Sequence, residues 1–141
     1  MVGICFRSER HRDQQDQWSF VFSNFGISDV WEIREETGED IYQPTTDVRN
    51  AEELPVDRPL VVLAPQAGRY VQGTESLADF VHPEDAIYLF GGSHENLSET
   101  ELGTRVPDHL VFIPLVEHEC FAAAAGYITL WDRYVKRGGH G

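Results

Sequence analysis

Two short runs bring together side chains able to bind metals or move protons: His94-Glu95 and His118-Glu119-Cys120. A metal centre needs three or four such ligands converging at fixed distances. Neither run has the spacing of a known metal signature, so no metal site is expected. His118 with Cys120 or Cys5 would form a nucleophile pair, but no oxyanion-hole sequence accompanies it. His94 would serve as a general base in a pocket, or stand on the surface as most histidines do. Glu117 and Glu119 precede a long helical stretch, where acids complement the helix dipole. Beside a ligand pocket the same charges would favour a cation. The third grouping is basic. Arg7, Arg10 and Arg12 lie near the N-terminus, and Arg133, Lys136 and Arg137 near the C-terminus. Together they are six of the eleven Lys and Arg residues. If the two ends meet in space, they form a basic patch on an acidic body.

The elements that must gather these residues alternate along the chain. Residues 2–6 form a short apolar run and read as a first strand. Residues 8–16 are polar, a loop or a helix entry. Trp18, Phe20, Val21, Phe22 and Phe25 follow at helical spacing, with Gly26 as the stop. Residues 29–34 read as a strand. The acidic stretch 35–57 reads as loop with a short helix near 47–54. Residues 60–63 and 86–90 read as buried strands. Thr74 or Ser76 would cap a helix running to about Val81. Ser98 with Glu101 has capping-box spacing for a short helix over 98–102. Residues 109–115 read as a last strand and 119–137 as the longest helix. Phe121, Ala124, Ile128, Trp131 and Val135 recur on that helix as an apolar stripe, expected in the core or at a dimer contact. Trp18 and Phe22 of the first helix are candidates for the same seam.

Continuous apolar strands alternating with helices imply an α/β domain, with a mainly parallel sheet and helices on both faces. In such sheets ligands bind beyond the carboxyl ends of the strands. Three of those ends stand out: Leu63-Ala64-Pro65, Phe90-Gly91-Gly92-Ser93 and Ile113-Pro114-Leu115. Glycine at the second lets a ligand approach the backbone closely, although Gly-Gly would equally serve as a plain turn.

Composition narrows the class. At 141 residues, the chain is expected to be a single domain over 1–141. Eight Phe, five Tyr and three Trp suffice for a real core. No apolar run is long enough to span a bilayer, and residues 1–7 meet charge too early for a secretion signal. These features imply the cytoplasm, or a host's cytoplasm if the chain is viral, with Cys5 and Cys120 reduced. The net charge of −13 disfavours unaided nucleic-acid binding.

Ala86-Ile87-Tyr88-Leu89-Phe90-Gly91-Gly92-Ser93-His94-Glu95-Asn96-Leu97-Ser98 resembles the second motif of the SpoU-type RNA methyltransferases of the SPOUT superfamily, a strand followed by Phe-Gly-x-Glu-x-x-Gly-Leu. Val111-Phe112-Ile113-Pro114-Leu115, followed by an Ala-rich helix ending Leu130-Trp131-Asp132-Arg133, resembles the third. Ser23-Asn24-Phe25-Gly26-Ile27-Ser28-Asp29-Val30 resembles the end of the family's first helix and its second strand. The three occur in the family's order and spacing over most of the chain. The resemblance implies a C-terminal trefoil knot and a homodimer through the first and last helices. It implies S-adenosylmethionine held largely by the backbone of the strand-end loops, with methyl transfer to a ribose 2′-oxygen of tRNA or rRNA. The cofactor-binding residues it implies are Leu63, Ala64, Leu89, Gly91, Gly92, Ile113, Leu115 and Glu119.

The polar equipment of the family is replaced. Its first motif, Asn-x-Gly-x-x-x-Arg, places the asparagine on Gln14 and the arginine on Phe20 when counted back from Gly26. The glutamate of the second motif falls on Ser93 and its glycine on Asn96. The Ser and Asn of the third fall near Glu119 and Phe121. A ribose hydroxyl is a weak nucleophile and needs its proton accepted or its charge stabilised, which phenylalanine cannot do. Arg7, Arg10 or Arg12 reaching the site from the N-terminal loop would restore that function, so Arg12 and Gln14 are the catalytic candidates. Two readings follow: a ribose methyltransferase with a remodelled site, or an inactive homodimeric descendant that binds a protein partner or the cofactor. A base-methylating branch of the superfamily would fit the missing arginine, but no signature of it is present.

Overall fold

The computed structural model describes residues 2–7, 12–33, 49–50, 54–64, 74–90, 108–114 and 122–137. Its elements are β1 (Gly3–Arg7), α1 (Arg12–Phe25), β2 (Asp29–Ile33), β3 (Arg49–Asn50), β4 (Leu60–Ala64), β5 (Thr74–Ser76), a 3₁₀ turn (Leu77–Asp79), β6 (Ile87–Phe90), β7 (His109–Phe112) and α2 (Ala122–Lys136). The described strands form one sheet in the order β3-β2-β1-β6-β4-β7-β5, and every ladder in it is parallel.

Strand composition follows from that arrangement. A parallel sheet is covered on both sides, so its strands are apolar at consecutive positions rather than at alternate ones. One face carries Ile4, Phe6, Val30, Val61, Leu63, Tyr88, Phe90 and Val111 against Trp18, Val21 and Phe22 of α1 and Ala123 and Leu130 of α2. The other carries Cys5, Trp31, Leu60, Val62, Ile87 and Leu89. Both described α-helices pack on the first face. The second is buried as deeply, with Leu54 packed there and the Arg58 guanidinium 5.7 Å from the Trp31 ring. The connections 65–73, 91–107 and 115–121, through which the expected C-terminal knot would have to be traced, lie outside the described residues.

The first helix stops as its sequence requires. Gly26 adopts a φ of 62°, a conformation open to glycine at little cost. There Ile27 N–H donates to Phe22 O at 2.9 Å and Gly26 N–H to Ser23 O at 3.4 Å, the two bonds of a Schellman cap. The seam between α1 and α2 is built by opposite means, the absence of a side chain. A Cβ on Gly126 would lie 2.8 Å from the indole of Trp18. Trp18 itself sits among Phe6, Phe22 and Phe90, with ring centroids 5.2, 5.9 and 5.3 Å away.

Several expectations are corrected. Trp18 and Phe22 belong to the core of their own chain and not to a seam between chains, because Gly126 lets α2 close directly over the indole. For the apolar stripe of α2, expected in the core or at a dimer contact, burial excludes the core at three positions. The helix buries Ala123, Thr129, Leu130 and Arg133, leaving Ile128, Trp131 and Val135 at 38%, 56% and 54% exposure. Phe121 lies outside the described residues. The helix expected near 47–54 is instead a strand at Arg49–Asn50, paired with Trp31 and Glu32 at the sheet edge. Thr74 and Ser76 pair with Leu110 and Phe112 in β5, so only a single 3₁₀ turn follows, capped as expected by Ser76. Strand β7 ends at Phe112, ahead of Pro114, which has no N–H to extend a ladder. The expected helix over 98–102 lies outside the described residues.

Candidate functional site

Parallel strands put all their carboxyl ends on one edge, so the sheet order decides which ends share a crevice. Strand β4 lies between β6 and β7. The three strand ends singled out in the sequence are therefore neighbours, although 25 residues lie between Ala64 and Phe90. Their levels match: Val62 stands opposite Leu89, Leu63 opposite Val111, and Ala64 opposite Phe112. The described side chains at these three ends are apolar.

The expected ligand contacts divide accordingly. Leu63 and Leu89 point to opposite faces of the sheet and are buried in its two core layers. Ile113 packs, partly buried, on the first layer, and Ala64 is the last residue of β4. Gly91, Gly92, Leu115 and Glu119 lie outside the described residues, as do His94, Glu95, His118 and Cys120. Among the described residues no group of three His, Cys, Asp or Glu side chains is placed to hold a metal. No helix among them is long and apolar enough to cross a membrane.

Arg12 and Gln14 lie in the first turn of α1, the helix that leaves the carboxyl edge of β1. Their side chains are not among those described. Phe20, at the counted position of the family's arginine, is 67% exposed on α1.

The described arginines with resolved partners serve the opposite edge, where the strands begin. Arg58 pairs with Asp29 Oδ2 at 3.3 Å, at the start of β2, and donates to Asp85 O at 3.1 Å, ahead of β6. Arg133 donates to Pro83 O, to Glu84 O and to the Tyr88 hydroxyl. Lys136 donates to Leu77 O and Phe80 O and pairs with Asp132 at 2.9 Å. The expected basic patch therefore loses Arg133, only 8% exposed, and Lys136 is tied down beside it. Both hold the segment between β5 and β6 under α2.

At the centre of that network is His82, which sequence reasoning missed. Its ring is fully buried. Nδ1 lies 2.7 Å from the Tyr88 hydroxyl and Nε2 lies 2.7 Å from Asp132 Oδ2. Burial pulls its pKa below the ordinary 6.5, with Asp132 opposing and Lys136 and Arg133 reinforcing. Burial likewise raises the Tyr88 phenol. The available signal was Tyr88 itself: a hydroxyl in the otherwise apolar run Ile87-Tyr88-Leu89-Phe90 requires a buried partner.

No protein-family profile and no curated protein sequence matches the chain. Solved structures do. The A. aeolicus TrmH/SpoU tRNA modifying enzyme matches with a TM-score of 0.73 at 10% identity, over 97% of this chain and 77% of that one. A structure bearing on the 2-OH methylation of C/U34 on tRNA matches at 0.70 and 17% identity, over 97% of this chain and 91% of that one. An AdoMet-bound rRNA methyltransferase from Sinorhizobium meliloti matches at 0.69 and 14% identity, over 96% of this chain and 56% of that one. The chain thus spans little more than half the length of the Sinorhizobium protein. The fold is methyltransferase-like, of the SpoU type.

Proposed function

We propose that the chain is an S-adenosylmethionine-binding domain of the SpoU RNA methyltransferase type, acting in the cytoplasm on a ribose 2′-oxygen of tRNA or rRNA with a remodelled polar set. The observation that carries this reading is the adjacency of the carboxyl ends of β6, β4 and β7. The residues present fit the cofactor: Phe112 and Ile113, only partly buried at the strand ends, offer apolar surface suited to an adenine, and the main chain there would supply its polar contacts. The bound cofactor would supply an electrophilic sulfonium methyl. The chain's share is positioning and relief of charge on the attacking oxygen. The first turn of α1, with Arg12 and Gln14, begins at the neighbouring edge of β1, and a helix N-terminus favours a developing negative charge.

A second reading is a catalytically inactive homodimer that binds the cofactor or a protein partner. It is favoured by Phe20 at the arginine position and by the internal pairing of Arg133 and Lys136. In both readings the second copy would cover the exposed face of α2, where Tyr127, Ile128, Trp131, Tyr134 and Val135 are uncovered, an apolar row of the kind that marks an interface. Trp131→Glu should convert a dimer to a monomer by light scattering without loss of helical signal; a wild-type monomer would remove the homodimer from both readings.

Calorimetric titration with S-adenosylmethionine tests the pocket. Saturable binding followed by transfer of labelled methyl to total tRNA or rRNA supports the enzyme. Binding without transfer supports the inactive module. No heat at millimolar cofactor removes the cofactor from both.

A further inference from the structure

We propose that His82 is an acid-sensitive latch: while neutral it fastens the C-terminal half of α2 to the segment between β5 and β6, and protonation releases that contact locally, before the sheet opens. Hydrogen-bond direction supports the latch, independently of the proposed activity. Arg133 has only donors, so its 3.1 Å contact makes the Tyr88 oxygen an acceptor. The Tyr88 proton is then free to be donated to His82 Nδ1. Asp132 accepts on the other side of the ring, so Nε2 carries the proton. One neutral tautomer satisfies every group in the chain of contacts Asp132–His82–Tyr88–Arg133.

A second ring proton would go to Nδ1 and face the phenol. Tyr88 would then have to accept from both His82 and Arg133, leaving its own proton without an acceptor in a buried site, a costly arrangement. Among the described residues, the titratable and charged neighbours come from two stretches, α2 with its end at Arg137, and β6. From α2, Asp132 favours the imidazolium, while Arg133 and Lys136 oppose it, with Arg137 acting on Tyr88. From β6 comes Tyr88. Phe80 packs against the ring in a T-shaped contact, with centroids 5.1 Å apart, and carries no charge. Burial and the two cations outweigh the single carboxylate, which agrees with the lowered pKa.

Linkage gives the direction of the pH effect. A histidine whose folded pKa lies below its unfolded 6.5 stabilises the closed form fully above pH 6.5. That contribution is lost as the pH falls from 6.5 through the folded value. The groups that separate are specific: Lys136 from Leu77 O and Phe80 O, and Arg133 from Pro83 O and Glu84 O.

Hydrogen exchange of the full chain, corrected for intrinsic rates, tests this at pH 7.5 and 5.5. Opening of residues 129–137 and 77–86 should rise by up to about tenfold at the lower pH, with α1 and β1 unchanged. His82→Gln should abolish the pH dependence. If that variant fails to fold, the wild-type ring titration by NMR decides: His82 should titrate below 6.5, and Tyr88→Phe, which removes the proton donated to Nδ1, should raise its pKa. A wild-type His82 titrating at or above 6.5, an acid response retained in His82→Gln, or opening spread evenly over the sheet would overturn the latch.

Discussion

Gly126→Ala is expected to destabilise the chain, although alanine is the better helix former. The substitution lies within α2, where replacing glycine by alanine ordinarily gains about 0.8–1 kcal/mol. Here the added Cβ would meet the Trp18 indole at 2.8 and 3.0 Å, inside normal contact distance. The indole cannot withdraw: Trp18 is fully buried and bounded by Phe6, Phe22 and Phe90 at centroid distances of 5.2, 5.9 and 5.3 Å. Overpacking of such a core costs about 1–3 kcal/mol. The clash outweighs the gain in helix propensity, leaving a net loss of about 1 kcal/mol, or about 4 °C in Tm for a domain of this size. Urea denaturation measures it, and a double-mutant cycle with Trp18→Phe assigns the cause. Trp18 Nε1 has no hydrogen-bond partner among the described residues, so the smaller ring forfeits no polar contact and removes the atoms that clash. Coupling of about 1 kcal/mol between the two substitutions is expected. A stabilised Gly126→Ala, or an additive cycle, would refute the claim that α1 and α2 touch through this glycine.

Arg133→Met should cost about 2–4 kcal/mol, because it strips the partners from Pro83 O, Glu84 O and the Tyr88 hydroxyl in a buried setting; a loss under about 1 kcal/mol in urea would contradict that role. Cys5 is fully buried with its thiol pushed up to about 12 by burial and then by Glu32, so in a Cys120→Ser background it should resist a thiol reagent at pH 8 until the chain unfolds. Rapid labelling of the native protein would show that the second face of the sheet is open. If Arg7, Arg10 and Arg12 alone contact phosphate, single-stranded RNA binding should weaken with a log–log salt slope of about −2; a slope near −5 would show that other cations converge on the RNA.

What the sequence revealed depended on whether a signal was local. The stop of α1 was readable because Gly26 alone determines it, and the buried strands because every residue from Ile87 to Phe90 had to avoid water. The three strand ends were identifiable one by one, while their adjacency came from the sheet order, a property of long-range pairing that no local pattern carries. The apolar stripe on α2 left core and dimer contact both open for a related reason. Helical spacing shows that Ile128, Trp131 and Val135 share a face but not which face meets the sheet. That choice was made by Gly126, whose missing side chain admits Trp18, and by Arg133, whose charged end reaches past the sheet edge to the carbonyls of Pro83 and Glu84. A charge on the inner face of a helix reads as solvent-facing until its partners are known.

The two edges of the sheet divide the work. At the amino edge, main-chain groups at strand starts and in the connections leading to them need partners, and side chains supply them: Asp108 Oδ2 accepts from Leu60 N–H at 2.7 Å, Arg58 bridges Asp29 and Asp85 O, and Arg133 and Lys136 bind the carbonyls of Leu77, Phe80, Pro83 and Glu84. Among the described residues Arg58, Arg133 and Lys136 are committed there. With eleven cations against 24 acids the chain gains little long-range attraction for RNA. If the proposed function holds, recognition of a ribose would come from short-range contacts at the carboxyl edge, where the ends of β6, β4 and β7 are apolar and the first turn of α1 brings Arg12 and a helix N-terminus. The same economy of charge leaves the α2 face free to be apolar, because Arg133 and Lys136 of that helix point into their own chain and do not compete with Trp131 and Ile128 for a partner.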